Sequence, residues 1–230
     1  NNVTVNISLP DNSWANESMR ALKLADVYYY NATYMLTGNY SFFICVTDVE
    51  GNRNLSQIYS FKMGEYLFSQ HFLSKWNLVT VPAENNLTAE TLGQNIAECT
   101  VVCMYNASSQ NYRTHVVGIP HNDFPIMNGN GYFIYCKDES TLSIPDVTIT
   151  SANVSIYEDW NIMGWYHDYS TTAESLGENI SGTEVVCMFN AETQTYKTHV
   201  VDIPHNNFPI ERAMGVFIYT TETGYWQGEG

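Results

Sequence analysis

Apolar and polar positions along this chain fall into short runs rich in Val, Ile, Tyr and Phe, broken by Asn, Gly, Pro and Asp. That pattern predicts strands and turns rather than long helices. Within residues 1–66, Val3 to Ser8, Asp26 to Met35, Asn39 to Asp48 and Ser56 to Met63 read as strands. Turn residues separate them at Pro10 to Asn12, Thr37 to Asn39 and Glu50 to Asn52. Further along, Trp76 to Val81 reads as a strand ending at Pro82, and Thr88 to Ile96 as a short helix with Thr88 as N-cap and Glu90 in its first turn. Val101 to Tyr105 and Tyr112 to Val117 flank Asn106 to Gln110 as a hairpin, and Gly131 to Cys136 supplies a last strand. The order β-α-β-β-β predicts an antiparallel sheet covered on one face by a small helix.

The same series recurs after a shift of 84 positions. Thr88 to Ile96 lies on Thr172 to Ile180, Val101 to Ala107 on Val185 to Ala191, Thr114 to Val117 on Thr198 to Val201, and Phe133 to Tyr135 on Phe217 to Tyr219. Thirty of the 49 positions from Thr88 to Cys136 are identical without a gap, and Trp76 and Asn77 match Trp160 and Asn161 upstream. Chance does not produce this, so the chain divides into an N-terminal β domain (1–66), one repeat module (67–150) and a second (151–230) that packs on the first or lies beside it. The expected fold class is mainly β with α+β: a partial Ig-like β-sandwich followed by two tandem homologous β-α-β-β-β modules.

The composition narrows the function. The net charge of −15 reflects 24 acidic residues set against only 9 Lys and Arg. With no basic cluster, nucleic acid and anionic membrane surfaces are excluded as partners, and no run of 18 apolar residues inserts into a bilayer. Ten Asn-X-Ser/Thr sequons, at Asn2, Asn6, Asn16, Asn31, Asn39, Asn54, Asn86, Asn106, Asn153 and Asn179, exceed the roughly four that composition alone would give, and mark a glycosylated, secreted surface. The chain reads as a piece of a longer protein, with any signal peptide or anchor outside it.

Two segments carry a resemblance. Gly38 to Asp48, followed by Gly51, Asn52 and Tyr59 to Phe61, resembles the last strands of the Ig-like or PKD-like modules of archaeal cell-surface proteins. The unit opening Trp76-Asn77-Leu78-Val79 and closing Gly131-Tyr132-Phe133-Ile134-Tyr135 is similar to modules beside Ig-like domains in archaeal extracellular and S-layer-associated proteins. The resemblance implies an extracellular module with a structural, adhesive or spacer role, with other surface-protein domains or glycans as partners. The alternative is a carbohydrate- or protein-binding appendage of a secreted hydrolase.

The duplication sorts the candidate chemistry. Cys99 and Cys136 are both replaced in the second unit, by Thr183 and Thr220, as expected of one disulfide gained or lost as a pair. Cys103 and Cys187 sit in equivalent runs apolar on both faces, which predicts buried thiols, and Cys45 is left over. His115 and His121, repeated as His199 and His205, have the donor chemistry for a transition metal, but Pro120 interrupts the spacing and no third ligand repeats. Asp48, Glu50 and Asn52 cluster oxygen donors suited to Ca²⁺, or equally to a self-bonded turn. Trp226, beside Gly224 and Tyr225, is the exposed candidate for stacking on a sugar, whereas Trp76 and Trp160 read as core. No nucleophile elbow, zinc-protease motif or phosphate loop occurs, and the expectation is a non-enzyme with no cofactor.

Overall fold

The computed structural model describes residues 2–22, 27–32, 34, 36–63 and 67–228. It is mainly β, with two short helices, in two compact units, Asn1–Glu65 and Tyr66–Gly230. In the first unit, β1 (Asn2–Ser8) runs between β2 (Trp14–Ser18) and β5 (Gly38–Thr47), and β5 pairs on its other side with β6 (Arg53–Leu55) and β7 (Tyr59–Met63). β3 (Arg20–Ala21) and β4 (Tyr28–Tyr29) form a separate ribbon. Alternate residues Val3, Val5 and Ile7 of β1 point inward. Val5 and Ile7 meet Tyr40, whose ring stacks on Phe61 at 4.9 Å. Three of the expected strands form close to their predicted limits. The fourth, Asp26 to Met35, falls partly outside the described residues and contributes only β4.

In the second unit, the first module runs β8 (Leu67–Phe72), β9 (Lys75–Val79), α1 (Ala89–Asn95), β10 (Cys99–Asn106), β11 (Asn111–Val116), β12 (Tyr132–Cys136) and β13 (Ser140–Pro145). The second runs β14 (Val154–Ile156), β15 (Asp159–Gly164), β16 (Thr171–Thr172), α2 (Ala173–Asn179), β17 (Thr183–Asn190), β18 (Thr195–Val200), β19 (Pro209–Ile210), β20 (Gly215–Thr220) and β21 (Gly224–Trp226). The order β-α-β-β-β is present in both copies. To it each module adds a ribbon joining its two ends, β8 with β13 and β14 with β21.

Each helix starts where the sequence places its cap: Thr88 and Thr172 accept from the backbone N–H three residues on. Ala89, Leu92 and Gly93, with their counterparts Ala173, Leu176 and Gly177, face the sheet. A Cβ on Gly93 would stand 2.3 Å from Val117, so glycine lets the helix lie directly on the sheet. The retained Asn77 and Asn161 are buried and wrap the preceding turns. Asn77 accepts from Leu73 N at 3.0 Å and donates to Leu73 O at 2.8 Å, and Asn161 does the same with Tyr157 at 2.8 and 2.7 Å.

The two four-stranded sheets, β11-β10-β12-β9 and β15-β20-β17-β18, are apolar on both faces. Val102 and Ile134 join the core under α1, and Val186 and Ile218 the core under α2. Leu78, Cys103 and Phe133 meet Ile162, Cys187 and Phe217 between the sheets. The result is four layers, helix, sheet, sheet and helix, so the modules pack on each other through the faces their helices leave free.

Candidate functional site

The inter-sheet layer is related to itself by a pseudo-twofold axis, because its central contacts recur between positions 84 apart. Thr80 N donates to Ala213 O at 2.9 Å and Gly164 N to Gly129 O at 2.8 Å. Val79 bridges Met214 while Met163 bridges Asn130. At the turn of the first hairpin, Gln110 reaches across to β15: its Nε2 donates to Trp160 O at 2.9 Å and its Oε1 accepts from Trp160 N at 3.2 Å. Gln194 returns the same pair of bonds to Trp76, at 2.9 and 3.2 Å. On the axis itself the equivalent positions Thr80 and Gly164 meet, and a Cβ at Gly164 would stand 2.1 Å from the Thr80 Cβ. There is room for one side chain only. Its hydroxyl donates to Asn130 O at 2.7 Å.

Away from the axis the sheets part and leave two related slots. One, of about 510 Å³, is lined by Trp76, Val101, Cys103, Tyr112, Phe133 and Phe189 among others. The other, of about 520 Å³, takes Tyr105, Trp160, Cys187 and Phe217, and both share Tyr112 and Tyr196. Aromatic edges meet across the modules, Phe133 with Phe189 at 5.3 Å and Tyr105 with Phe217 at 6.2 Å. Each thiol is buried and contacts a threonine hydroxyl at 3.3 Å, Cys103 with Thr114 and Cys187 with Thr198. Burial holds both thiols above the ordinary cysteine value, against the lowering pull of those hydroxyls. These are the buried thiols the sequence predicts. Trp76 is half-buried and Trp160 exposed at the slots, so neither lies in the closed core that the sequence predicts.

The repeated histidines lie on the opposite sheet faces. In β10 and β11, Val102 pairs with His115 and Cys103 with Thr114, so alternation sends His115 toward α1 and Cys103 toward the other sheet. A Cys103–His115 dyad is therefore sterically excluded. His115 is fully buried, with Nδ1 2.9 Å from His121 O and Nε2 2.6 Å from Glu90 Oε2. A carbonyl and a carboxylate can only accept, so this geometry suits the doubly protonated imidazolium. Burial lowers the His115 pKa, but the Glu90 carboxylate, the His121 carbonyl and the nearby Asp123 charge outweigh it and raise the value. Glu90 is held low by the Gly118 N–H first and by His115 second. His199 repeats the arrangement with His205 O at 2.9 Å and with Glu174. The beginning of each helix is thus tied to the Pro-containing loop of its own module. The His-x5-His spacing consequently makes no chelate, since both nitrogens of the first histidine are engaged and the second offers its backbone. The shallow cavity beside the first dyad, about 540 Å³, contains no Ser, Thr or Cys.

Cys99 and Cys136 are free thiols directly opposite one another on β10 and β12, both buried. Their mutual hydrogen bond pushes Cys99 up, aided by burial, and Cys136 down. Thr183 and Thr220 face each other at the same register in the second module. Asp48 accepts from Glu50 N, Asn52 N and Asn52 Nδ2, each at 2.9 Å, which makes this segment a self-bonded turn; those hydrogen bonds lower the Asp48 pKa. Trp226 is not exposed: it is 1% accessible and packs on Trp165 and Tyr166, while its neighbour Tyr225 points outward. Nine of the ten sequon asparagines are exposed, the exception being Asn6, whose Nδ2 is buried. Asn106 and Asn153 line a cleft of about 570 Å³ between the modules, of mixed polar and apolar lining.

Two features were missed in the sequence. Glu174, Glu178 and Asp202 bring carboxylate oxygens within 4.8 Å of one another, where the first module has Glu90, Gln94 and Gly118. Arg212 crosses the module boundary to Asp146 and to Pro82 O, and pairs with Asp168 at 2.9 Å. Both could have been found as departures between the two copies. No protein-family model matches the chain, and neither a curated protein nor a solved structure is similar to it at a significant level.

Proposed function

We propose that the chain is a non-catalytic extracellular module of a cell surface with a structural, adhesive or spacer role. The observation that supports this best is the use made of the repeated chemistry. His115 and His199 spend both ring nitrogens tying helix to loop, and Cys103 and Cys187 lie across the sheets from them. Neither copy thereby assembles a nucleophile, base and acid in one cavity. Exposure of nine sequons supports a glycosylated surface, and the facing Cys99 and Cys136 support a disulfide formed under oxidising conditions. The second reading, a binding appendage of a secreted hydrolase, draws its support from the aromatic slots.

Intact-mass and peptide analysis of the protein from its native source tests this reading. Glycans are expected on exposed sequons and absent from Asn6, whose amide nitrogen is inaccessible. Unmodified asparagine at all ten would remove the extracellular assignment. The same spectra, compared before and after reduction, are expected to show the chain lighter by two hydrogens when unreduced, with Cys99 and Cys136 in one cross-linked peptide. Cys99→Ser is then expected to lower stability by about 3 kcal/mol in oxidising buffer and by much less in reducing buffer. Equal losses in both buffers would show that no bond forms.

A further inference from the structure

We propose that the paired slots between the sheets form one binding site for a neutral hydrocarbon chain. Each slot falls within the size range of small-molecule sites, and the two adjoin at Tyr112 and Tyr196, so a chain-like ligand could extend across the pseudo-twofold axis.

The lining chooses among ligand classes. It contains no Asp, Glu, Lys, Arg or His, although the chain as a whole carries −15. An anion would meet the net negative field and find no cation in the slots, and a cation would find no carboxylate there. Sugars need several paired donors and acceptors. Gln110, which lines one slot, and its counterpart Gln194 both give their amides to the opposite module's backbone, and the Thr114 and Thr198 hydroxyls face the thiols. What remains is aromatic and aliphatic surface.

Retention adds a second line. Packing explains why Phe133 and Phe217 persist in both copies. Tyr112 and Tyr196 pack edge-on against Tyr105 and Phe189 at 5.0 and 5.2 Å, yet they stay 51% and 54% exposed in the two copies. Aromatic surface held half-open at a cavity mouth marks a contact site.

A titration of the whole chain with N-phenyl-1-naphthylamine, an uncharged fluorescent probe, tests the assignment. Saturable binding is expected, displaced by 1-decanol but neither by decanoate to the same extent nor by neutral oligosaccharides. Tyr112→Ser combined with Tyr196→Ser is expected to weaken binding by about tenfold or more while far-UV circular dichroism is unchanged. Should that variant misfold, quenching of native tryptophan fluorescence by a bromine-labelled decanol, through Trp76 and Trp160, gives an independent reading. Non-saturable binding, an unaffected folded double variant, absence of quenching, or displacement by oligosaccharide in place of the alcohol would each overturn the proposal.

Discussion

Gly164→Ala is expected to destabilise the second unit by about 3 kcal/mol, the upper range for forcing extra atoms into a packed site. The new methyl carbon would sit 2.1 Å from the Thr80 Cβ, at a point where the two sheets share backbone hydrogen bonds and cannot separate cheaply. The loss is expected to fall below about 1 kcal/mol in a Thr80→Gly background, because the single obstructing side chain is then gone. Thr80→Gly has its own cost, the buried hydroxyl bond to Asn130 O and added chain entropy, so the comparison must be made as a double-mutant cycle in urea unfolding. Additive losses would show that the sheets relax apart and that the axis is not tightly packed.

The second large effect is expected at His115. His115→Ala removes a fully buried ring and leaves the His121 carbonyl without its donor and the Glu90 carboxylate with the Gly118 N–H and Gln94 alone, at a cost of about 3 kcal/mol. That cost should depend on pH in both directions. The folded His115 value lies above its ordinary 6.5, so its contribution is complete below that pH and is lost as pH rises through the folded value. The folded Glu90 value lies below its ordinary 4.5, so its contribution is complete above that pH and is lost as pH falls through the folded value. The difference in stability between wild type and His115→Ala is therefore expected to be greatest between about pH 4.5 and 6.5 and to shrink on either side. Chemical denaturation at pH 3, 5.5 and 9 would check it, and a difference independent of pH would mean that folding shifts the titration of neither His115 nor Glu90.

The helices, hairpins and central strands could be anticipated because local chemistry defines them: Thr88 and Thr172 cap, Gln110 and Gln194 close turns, and the runs between are β-branched and aromatic. The ribbons β8–β13 and β14–β21 were overlooked although Ser140 to Pro145 alternates cleanly, with Ser140, Leu142 and Ile144 inward. Such short segments acquire meaning only when a partner from the far end of the module arrives. Trp226 shows the cost of reading neighbours together. In a strand, adjacent side chains point oppositely, so an outward Tyr225 implies an inward Trp226. The slots were invisible for a related reason: their residues come from both copies, and nothing local says that Trp76 and Phe189 share a cavity. The histidine spacing alone suggests two converging rings, but the break at Pro120 and the lack of a third repeated ligand point instead to loop hydrogen bonds, and the second residue indeed contributes its carbonyl.

The pairing of Thr80 with Gly164 has a consequence for ancestry. In a dimer of identical chains a residue on the symmetry axis faces itself, and any substitution there arrives twice. A covalently joined pair escapes that rule: one half can grow while the other shrinks. The same freedom accounts for two facing cysteines in one half where the other half has two facing threonines, and for a carboxylate cluster on one side alone. Joined in one chain, the two modules are free to take on different duties at their outer ends while a shared interior holds them in place.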